Sequence, residues 1–375
     1  MNSSKDNRLF SLDLLRGCDM LLLGAGCALV AGVNRVWPLP EAFMRQFTHP
    51  WGGFTLLDII MPLFIFMSGA AIPFALGRRL DENGKPTPAF WKHIASRFAL
   101  LWVLGMCCQG GLLTFDPVCI SPYCNTLQSI AAGYVITALV MLAPSKAFRI
   151  AMPIALVALY GLIVHLGGDY TKEGNVTWIV ERRILSWIVP AESRLLKVGA
   201  GYTWFLPTMM FGAIALAGYH ATEILRSART QWKRAGLLAG VGAASLAVGW
   251  ALVPWVPMIK QYFTVSFSLQ AIGWCMLAYA ALYVVGDIWK LRRGTWLVIL
   301  FGQCSLATYI INAFFRCGIN VASHGLVKGL PRFFGTAVHP LVEVLAETVL
   351  LVVILTLWRQ ARRARKSGIE GGAKS

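Results

Sequence analysis

The sequence predicts an all-α membrane protein that crosses the bilayer about ten times. Only 14% of its 375 residues are charged and 57% are hydrophobic, whereas soluble domains carry roughly 25% charged residues. Apolar stretches of about 20 residues, the length that crosses the hydrocarbon core as a helix, recur along the chain. These stretches are continuous and do not alternate in polarity, which favours helices over a transmembrane β-barrel.

Ten apolar stretches mark the expected spans, at residues 12–33, 55–77, 94–113, 126–143, 150–166, 202–224, 236–254, 264–285, 295–317 and 336–358. In this layout, 22 of the 34 Lys and Arg residues fall on the side that holds both chain termini. Because positive residues accumulate in cytoplasmic loops, we expect both termini in the cytoplasm. We expect a single multi-pass domain over residues 1–375, with residues 359–375 as a basic cytoplasmic tail.

The formal net charge of +17 would suggest a nucleic-acid partner in a soluble protein. Here the basic residues lie in short loops between the spans, so we expect contacts with membrane lipid and no nucleic acid. The nine cysteines lack the spacing of metal ligands, and the sequence predicts no metal site. Cys119 and Cys124 share one short loop and could form a disulfide if that loop is extracytoplasmic.

The loop over residues 167–201 is the longest, and the layout makes it extracytoplasmic. Residues 176–189 fit an amphipathic helix that lies in the membrane interface, or a lid over a substrate. The expected apolar face consists of Trp178, Ile184, Leu185 and Ile188, and Glu181 falls elsewhere on the helix.

The segment from His49 to Gly69 is the most informative part of the chain. A histidine and a Trp-Gly-Gly turn precede a long apolar helix that carries Asp58 near its start. Ionisable groups at membrane depth are costly, so they indicate a functional site by default. Histidine exchanges a proton near neutral pH and could deprotonate an incoming amine or hydroxyl. The indole of Trp51, beside this histidine, could stack on a sugar.

Asp58 also has a structural interpretation, because Thr55-Leu56-Leu57-Asp58 has the spacing of a helix capping box. The two roles are compatible. A carboxylate fixed in the first turn can accept a hydrogen bond from one ring nitrogen of His49 and leave the other nitrogen to act as the base. Gly52 and Gly53 permit the tight return of the chain that this contact needs.

Arg16 lies early in the first predicted helix. It could pair with Asp13 or Asp19 at helical spacing, or it could contact an anionic cofactor at the cytoplasmic face. Basic residues in the cytoplasmic loops, among them Arg79 and Arg97, could bind phosphates. The positive-inside rule explains them equally well.

Three further polar residues are candidate ligand contacts inside apolar helices. Ser305 and Asn312 lie on one face of the ninth predicted helix together with Tyr309. They could form hydrogen bonds between helices or the wall of a polar cavity. Gln128 is a lone amide in the fourth helix, so it must bind a partner or line a cavity.

The chain resembles the transmembrane acetyltransferases typified by heparan-α-glucosaminide N-acetyltransferase. It is more similar still to their bacterial relatives, described as N-acetylglucosamine-related membrane proteins. The resemblance is carried by SLDLLRGCDM (11–20), FTHPWGGFTLLDIIMPLFIFMSG (47–69), NTLQSIAAGY (125–134), KQYFTVSFSL (260–269) and FGQCSLATY (301–309). These motifs occur in the family's order and extend over nearly the whole chain. The segment that contains His49 and Asp58 is the specific one.

The resemblance implies a fold of ten or eleven helices in a bacterial inner membrane. Acetyl-CoA would enter from the cytoplasm as the acyl donor, and the acceptor would be an extracytoplasmic amino sugar or glycan. The family's active-site histidine and aspartate fall on His49 and Asp58, and its first-helix Arg-Gly motif and Leu-Gln motif include Arg16 and Gln128. The chain departs from the family pattern at Cys27, Cys304 and Asn312, which bears on the acceptor more than on the reaction class.

Three functions remain open at this stage. The first is acetyl transfer across the membrane, with His49 as general base or transient acetyl carrier. The second is a transporter of an amino sugar or cell-wall fragment, which lacks support because no paired repeat with broken helices is visible. The third is a scaffold or sensor without chemistry. The sequence leaves open whether the chain forms a homodimer.

Overall fold

The secondary structure of the described residues consists of helices. The structure is a computed structural model that describes residues 9–197, 201–335 and 338–372, and within these ranges it has no strand beyond one isolated bridge between Leu80 and Pro86. The main helices are α1 Phe10–Val36, α2 Leu56–Arg79, α3 Pro88–Cys108, α4 Thr126–Met141, α5 Lys146–Leu166, α6 Val176–Ile188, α7 Thr208–Arg226, α8 Gln231–Ala251, α9 Val265–Ile288, α10 Trp296–Gln303, α11 Ser305–Val327 and α12 His339–Gly372.

Several of these helices are long and apolar enough to cross a membrane. Six of the described helices meet both conditions, namely α1, α2, α5, α8, α9 and α12 up to Arg365. The pair α10 and α11 would make a seventh span if it is counted as one. The chain is therefore an all-helical protein with the helices of a multi-pass membrane protein.

The ninth predicted span is not one straight helix. The chain bends by 76° between α10 and α11, and Cys304 at the break has left the helical conformation (φ −107°, ψ 20°). A π-helical turn, Ile311–Phe315, follows within α11. Ser305 thus begins the helix after the bend, and Asn312 lies within the π-helical turn.

The chain divides into two compact units. The first comprises residues 1–12 and 48–289, and the second comprises residues 13–47 and 290–375. The expectation of a single domain over residues 1–375 stays a prediction. In the second unit, α12 packs against α11 and against the end of α1. The segment predicted as a basic tail continues α12 as a helix as far as Gly372.

In the first unit, α7 is the central helix and packs against α2, α4 and α5, while α8 and α9 form an adjacent antiparallel pair. The contact between α2 and α7 depends on Gly69 and Gly218. A Cβ atom on Gly218 would lie 1.9 Å from the carbonyl oxygen of Phe66, so only glycine permits this close approach of the two backbones.

The helix predicted over residues 176–189 is present as α6, over Val176–Ile188. Its buried residues are Thr177, Glu181 and Leu185, while Ile188 is exposed. Spacing alone places Glu181 outside the apolar face and gives it no partner. In the structure its carboxylate is buried because it accepts hydrogen bonds from the backbone N–H groups of Trp204 and Phe205, both at 3.0 Å.

Candidate functional site

His49, Asp58 and Lys260 form one cluster in the first unit. The Nδ1 atom of His49 lies 2.9 Å from Oδ1 of Asp58, and the same oxygen accepts a hydrogen bond from Nζ of Lys260 at 3.0 Å. The ammonium group also lies 3.3 Å from Nδ1 of His49. The hydrogen bond that the sequence predicted between His49 and Asp58 is therefore present, with a lysine beside it.

The start of α2 holds Asp58 in place. Thr55 has an extended conformation and caps the helix, and the predicted capping box is present. The backbone N–H of Thr55 donates to Oδ2 of Asp58 at 3.0 Å, and the Thr55 hydroxyl lies 2.9 Å from the same oxygen. One carboxylate oxygen thus bonds to the cap, and the other is left for His49 and Lys260.

Lys260 lies in a turn between α8 and α9, which places its side chain next to Asp58. The N–H of Gly53 donates to the carbonyl of Met258 at 3.0 Å, which joins this turn to the chain segment just before Asp58. Gly53 has φ +105°, a conformation that L side chains rarely adopt, so the glycine predicted to permit a tight return does so. The Thr264 hydroxyl accepts from the N–H of Ile259 at 3.0 Å and fixes the other end of the turn.

Burial differs sharply within the cluster. The side chains of Asp58 and Lys260 are 2% and 9% exposed, whereas that of His49 is 48% exposed. The carboxylate and the ammonium are thus shielded from solvent, and the imidazole is the group that a ligand can reach. Burial lowers the pKa of Lys260 from its ordinary value, and the adjacent Asp58 carboxylate opposes that shift.

The arrangement suits a proton acceptor. An aspartate that accepts the Nδ1–H of a histidine fixes the tautomer, and the lone pair of Nε2 then points away from the pair. Because Asp58 accepts from four donors, its charge is well stabilised. The geometry therefore leaves Nε2 of His49 as the atom of the cluster that an incoming ligand can meet.

An aromatic group lies next to the cluster. The Lys172 ammonium, from the segment just before α6, lies 4.7 Å from the centre of the Trp51 ring. The edge of Trp51 packs against Tyr262 at 5.7 Å, and the Tyr262 hydroxyl donates to the carbonyl of Lys172 at 3.0 Å. The long loop therefore contacts the same chain segments that carry His49 and Lys260.

The structure gives Gln128 a local role. Its Oε1 accepts from the N–H of Cys124 at 2.9 Å, and its Nε2 donates to the carbonyl of Pro122 at 2.8 Å. The amide thus satisfies the loop that leads into α4, which agrees with the alternative that it binds a partner. Cys119 and Cys124, in this loop, carry separate thiols.

The other three predicted ligand contacts belong to the second unit. Arg16 pairs with Asp13 at 3.6 Å, one of the two acidic partners that its spacing predicted. Asn312 donates from Nδ2 to the carbonyl of Leu23 at 3.1 Å, a hydrogen bond between helices. Ser305 is the first residue of α11 after the bend. Within the first unit, the predicted site residues His49 and Asp58 come together.

We predicted no role for Lys260 from the sequence, although it is the first residue of the motif KQYFTVSFSL (260–269). A signal was available. Lys260 is a lone cation in an apolar stretch directly before a membrane helix, and a buried lysine needs an acidic partner. Asp58, predicted at the start of a long apolar helix, is such an acidic residue.

Across the residues that the structure describes, no group of three or more His, Cys, Asp and Glu side chains could hold a metal ion. No protein-family model matches the chain, and no curated protein is significantly similar to it in sequence. The resemblance to the transmembrane acetyltransferases stays a prediction that rests on the motifs around His49 and Asp58.

Proposed function

We propose that this chain is a membrane acetyltransferase of the bacterial inner membrane, with ten spans and both termini in the cytoplasm. It moves an acetyl group from cytoplasmic acetyl-CoA to an extracytoplasmic acceptor, the amine of a glucosamine-type sugar. The observation that supports the proposal is the cluster of His49, Asp58 and Lys260, in which an exposed imidazole stands on a buried ion pair. The family resemblance supplies the donor and the acceptor class.

In the proposed reaction, the nitrogen of the acceptor amine attacks the acetyl carbonyl carbon, and Nε2 of His49 removes a proton from that amine. The carbon–sulfur bond of the thioester then breaks, and the thiolate leaves with a proton from the imidazolium. Asp58 stabilises the charged ring in between, and Lys260 compensates the negative charge of Asp58 once the ring is neutral again. A transient acetyl group on His49 is the alternative route for the same transfer.

The exposed position of His49 supports the choice of base. Asp58 and Lys260 have no access to an acceptor, because they are buried and hydrogen-bonded to each other. The pair therefore acts as a positioning group. Trp51, two residues after His49, presents an aromatic surface of the kind that packs against sugar rings, and the Lys172 ammonium shows that this surface accepts a cation.

The test is acetyl transfer by the purified full-length chain with radiolabelled acetyl-CoA and glucosamine. We expect labelled N-acetylglucosamine from the wild type and none from His49→Ala. The matched control is His165→Ala, which removes an exposed histidine at the end of α5 in the same unit and should leave transfer unchanged.

Two results would contradict the proposal. Full activity in folded His49→Ala would eliminate the mechanism. Accumulation of an amino sugar in proteoliposomes without consumption of acetyl-CoA would identify a transporter instead. Absence of product together with saturable binding of acetyl-CoA would keep the reaction class and change the acceptor.

A further inference from the structure

A second cluster of cations lies in the first unit and differs from the His49 cluster in its composition. It consists of Arg79 at the end of α2, His93 and Arg97 on α3, and Tyr134 in the middle of α4. The Arg97 guanidinium carbon lies 4.5 Å from the centre of the Tyr134 ring. Electrostatic interactions link His93 to both arginines, and they reach Tyr134 from the same two arginines.

This cluster contains no acid. Among the described residues, no salt bridge includes Arg79, His93 or Arg97. Within the described part of the chain, three buried polar atoms of this cluster also have no hydrogen-bond partner: Nε2 of His93, Nε of Arg97 and the hydroxyl of Tyr134. Tyr134 is only 1% exposed, so its hydroxyl has lost contact with solvent without gaining a partner.

The surroundings make this arrangement costly. Tyr134 belongs to an apolar cluster with Phe90, Ile94 and Tyr219, where unpaired charge is poorly solvated. The positive-inside rule accounts for arginines in loops, but Arg97 lies nine residues into α3, roughly two and a half turns from its start. A cation at that depth, stacked on a buried tyrosine and left without a carboxylate, indicates a function.

We propose that Arg79, His93, Arg97 and Tyr134 form a binding site for a phosphate or pyrophosphate group. Two guanidinium groups supply the charge and the planar donor geometry that phosphate oxygens accept. The Tyr134 hydroxyl and the imidazole of His93 supply the further donors. The inference stands on this cluster and does not require acetyl transfer. The phosphate could belong to a nucleotide such as coenzyme A or to the headgroup of an anionic lipid.

The test measures the thermal unfolding of the purified full-length chain with inorganic pyrophosphate, against sodium chloride at matched ionic strength. We expect saturable stabilisation of the wild type by pyrophosphate, because a ligand that binds only the folded state raises its stability. Arg97→Gln should weaken this binding at least tenfold. The matched control is Arg226→Gln, since Arg226 is a basic residue of α7 that lies 4.0 Å from Glu223, and it should bind as the wild type does.

The stability without ligand separates binding from a structural role. If Arg97 serves a ligand, Arg97→Gln should unfold at the same temperature as the wild type or higher, because an uncompensated charge is removed. If Arg97 only packs on Tyr134, the variant should unfold at a lower temperature. A destabilised variant together with no effect of pyrophosphate on the wild type would overturn the proposal.

A second variant covers the case in which Arg97→Gln does not fold. Tyr134→Phe keeps the ring under the guanidinium and removes only the hydroxyl. It should weaken pyrophosphate binding about two- to tenfold, the usual effect of one hydrogen bond, whereas unchanged binding would remove Tyr134 from the site.

Competition then identifies the source of the phosphate. Displacement of pyrophosphate by coenzyme A would indicate a nucleotide ligand, and displacement by phosphatidylglycerol but not phosphatidylcholine in nanodiscs would indicate a lipid headgroup. Either result supports the site. Pyrophosphate binding in a protein that neither transfers acetyl nor binds acetyl-CoA would refute the proposed function alone.

Discussion

The first unit contains two groups of buried charged residues, one in which the cation is paired with a carboxylate and one in which the cations have no acidic partner in the part of the chain that the structure describes. In the His49 cluster, the ammonium of Lys260 and the carboxylate of Asp58 are 3.0 Å apart, and the remaining carboxylate oxygen bonds to Thr55. In the cluster around Arg97, one guanidinium lies over a tyrosine ring, and none of the three cationic residues forms a salt bridge with an acid among the described residues.

This difference suggests what each cluster is for. A buried carboxylate whose two oxygens both accept hydrogen bonds has little left to bind, so we assign Asp58 to holding a neighbouring group in one position, here the imidazole of His49. A buried cation without an acid keeps its charge available for a ligand and destabilises the empty protein. The first cluster would thus fix the position of the His49 ring and bind no ligand through its own charges. The second would bind a ligand through its charges and lower the stability of the protein when no ligand is bound.

The largest expected effect comes from making the first cluster resemble the second. Asp58→Ala leaves the buried Lys260 without its carboxylate, and it should lower the free energy of unfolding by about 3–5 kcal/mol. Adding Lys260→Met should recover a large part of that loss, because a neutral side chain of similar length then fills the site. Chemical denaturation in detergent micelles measures both differences.

The control for this pair is Lys233→Met, which changes an exposed lysine on α8 and should alter stability by less than about 0.5 kcal/mol. A double variant as unstable as Asp58→Ala alone would mean that the charge of Lys260 is not what Asp58 compensates. In that case the contrast between the two clusters would lose its basis.

Glu181 provides an intermediate case, a buried carboxylate whose partners in the structure are two backbone N–H groups. Burial raises its pKa from 4.5 to about 7, and the two N–H groups oppose the shift. The folded state therefore binds this proton more tightly than the unfolded chain does. Its contribution to stability is complete below pH 4.5 and is lost as the pH rises to about 7.

Glu181→Gln removes that titration and keeps an oxygen that can accept both hydrogen bonds. The variant and the wild type should have similar stability near pH 4.5, and at pH 8 the variant should be more stable by up to about 3 kcal/mol. Thermal unfolding across this range is the measurement. Parallel curves for the two proteins would show that neutral donors alone suffice to stabilise the buried charge.

Local rules predicted much of this molecule from sequence. Helices lie within the predicted apolar stretches, and six or seven of the described spans are long and apolar enough to cross a membrane, because hydrophobic length and helix formation are both properties of short segments. The capping box of Thr55 and Asp58 followed from a three-residue spacing, and the contact between His49 and Asp58 followed from a glycine turn. The catalytic roles of His49 and Asp58 stay predictions.

What sequence reasoning missed depends on tertiary contacts. Lys260 reaches His49 from 211 residues away, and no periodicity encodes that distance. The partners of the Glu181 carboxylate were likewise not predicted from helical spacing, because the N–H groups that it accepts from belong to a later segment of the chain. The bend at Cys304 likewise interrupts an apolar stretch that has no proline to mark it.

The smallest expected effect concerns how firmly Asp58 must be held. Thr55→Val keeps the shape of the buried side chain and removes the hydroxyl that lies 2.9 Å from Oδ2 of Asp58. It should lower stability by about 1–2 kcal/mol, as the loss of a helix cap usually does. It should also slow acetyl transfer several-fold, because the carboxylate that orients His49 gains freedom to turn.

Ser145→Ala is the matched control, since Ser145 caps α5 by accepting from the N–H of Phe148 at 3.3 Å and has no contact with the cluster among its described hydrogen bonds. It should cost about 1 kcal/mol or less and leave transfer unchanged. Equal losses of activity in the two variants would show that helix stability limits the reaction. A loss confined to Thr55→Val would show that the orientation of Asp58 does, because both variants lose a cap and only one of them touches the buried ion pair.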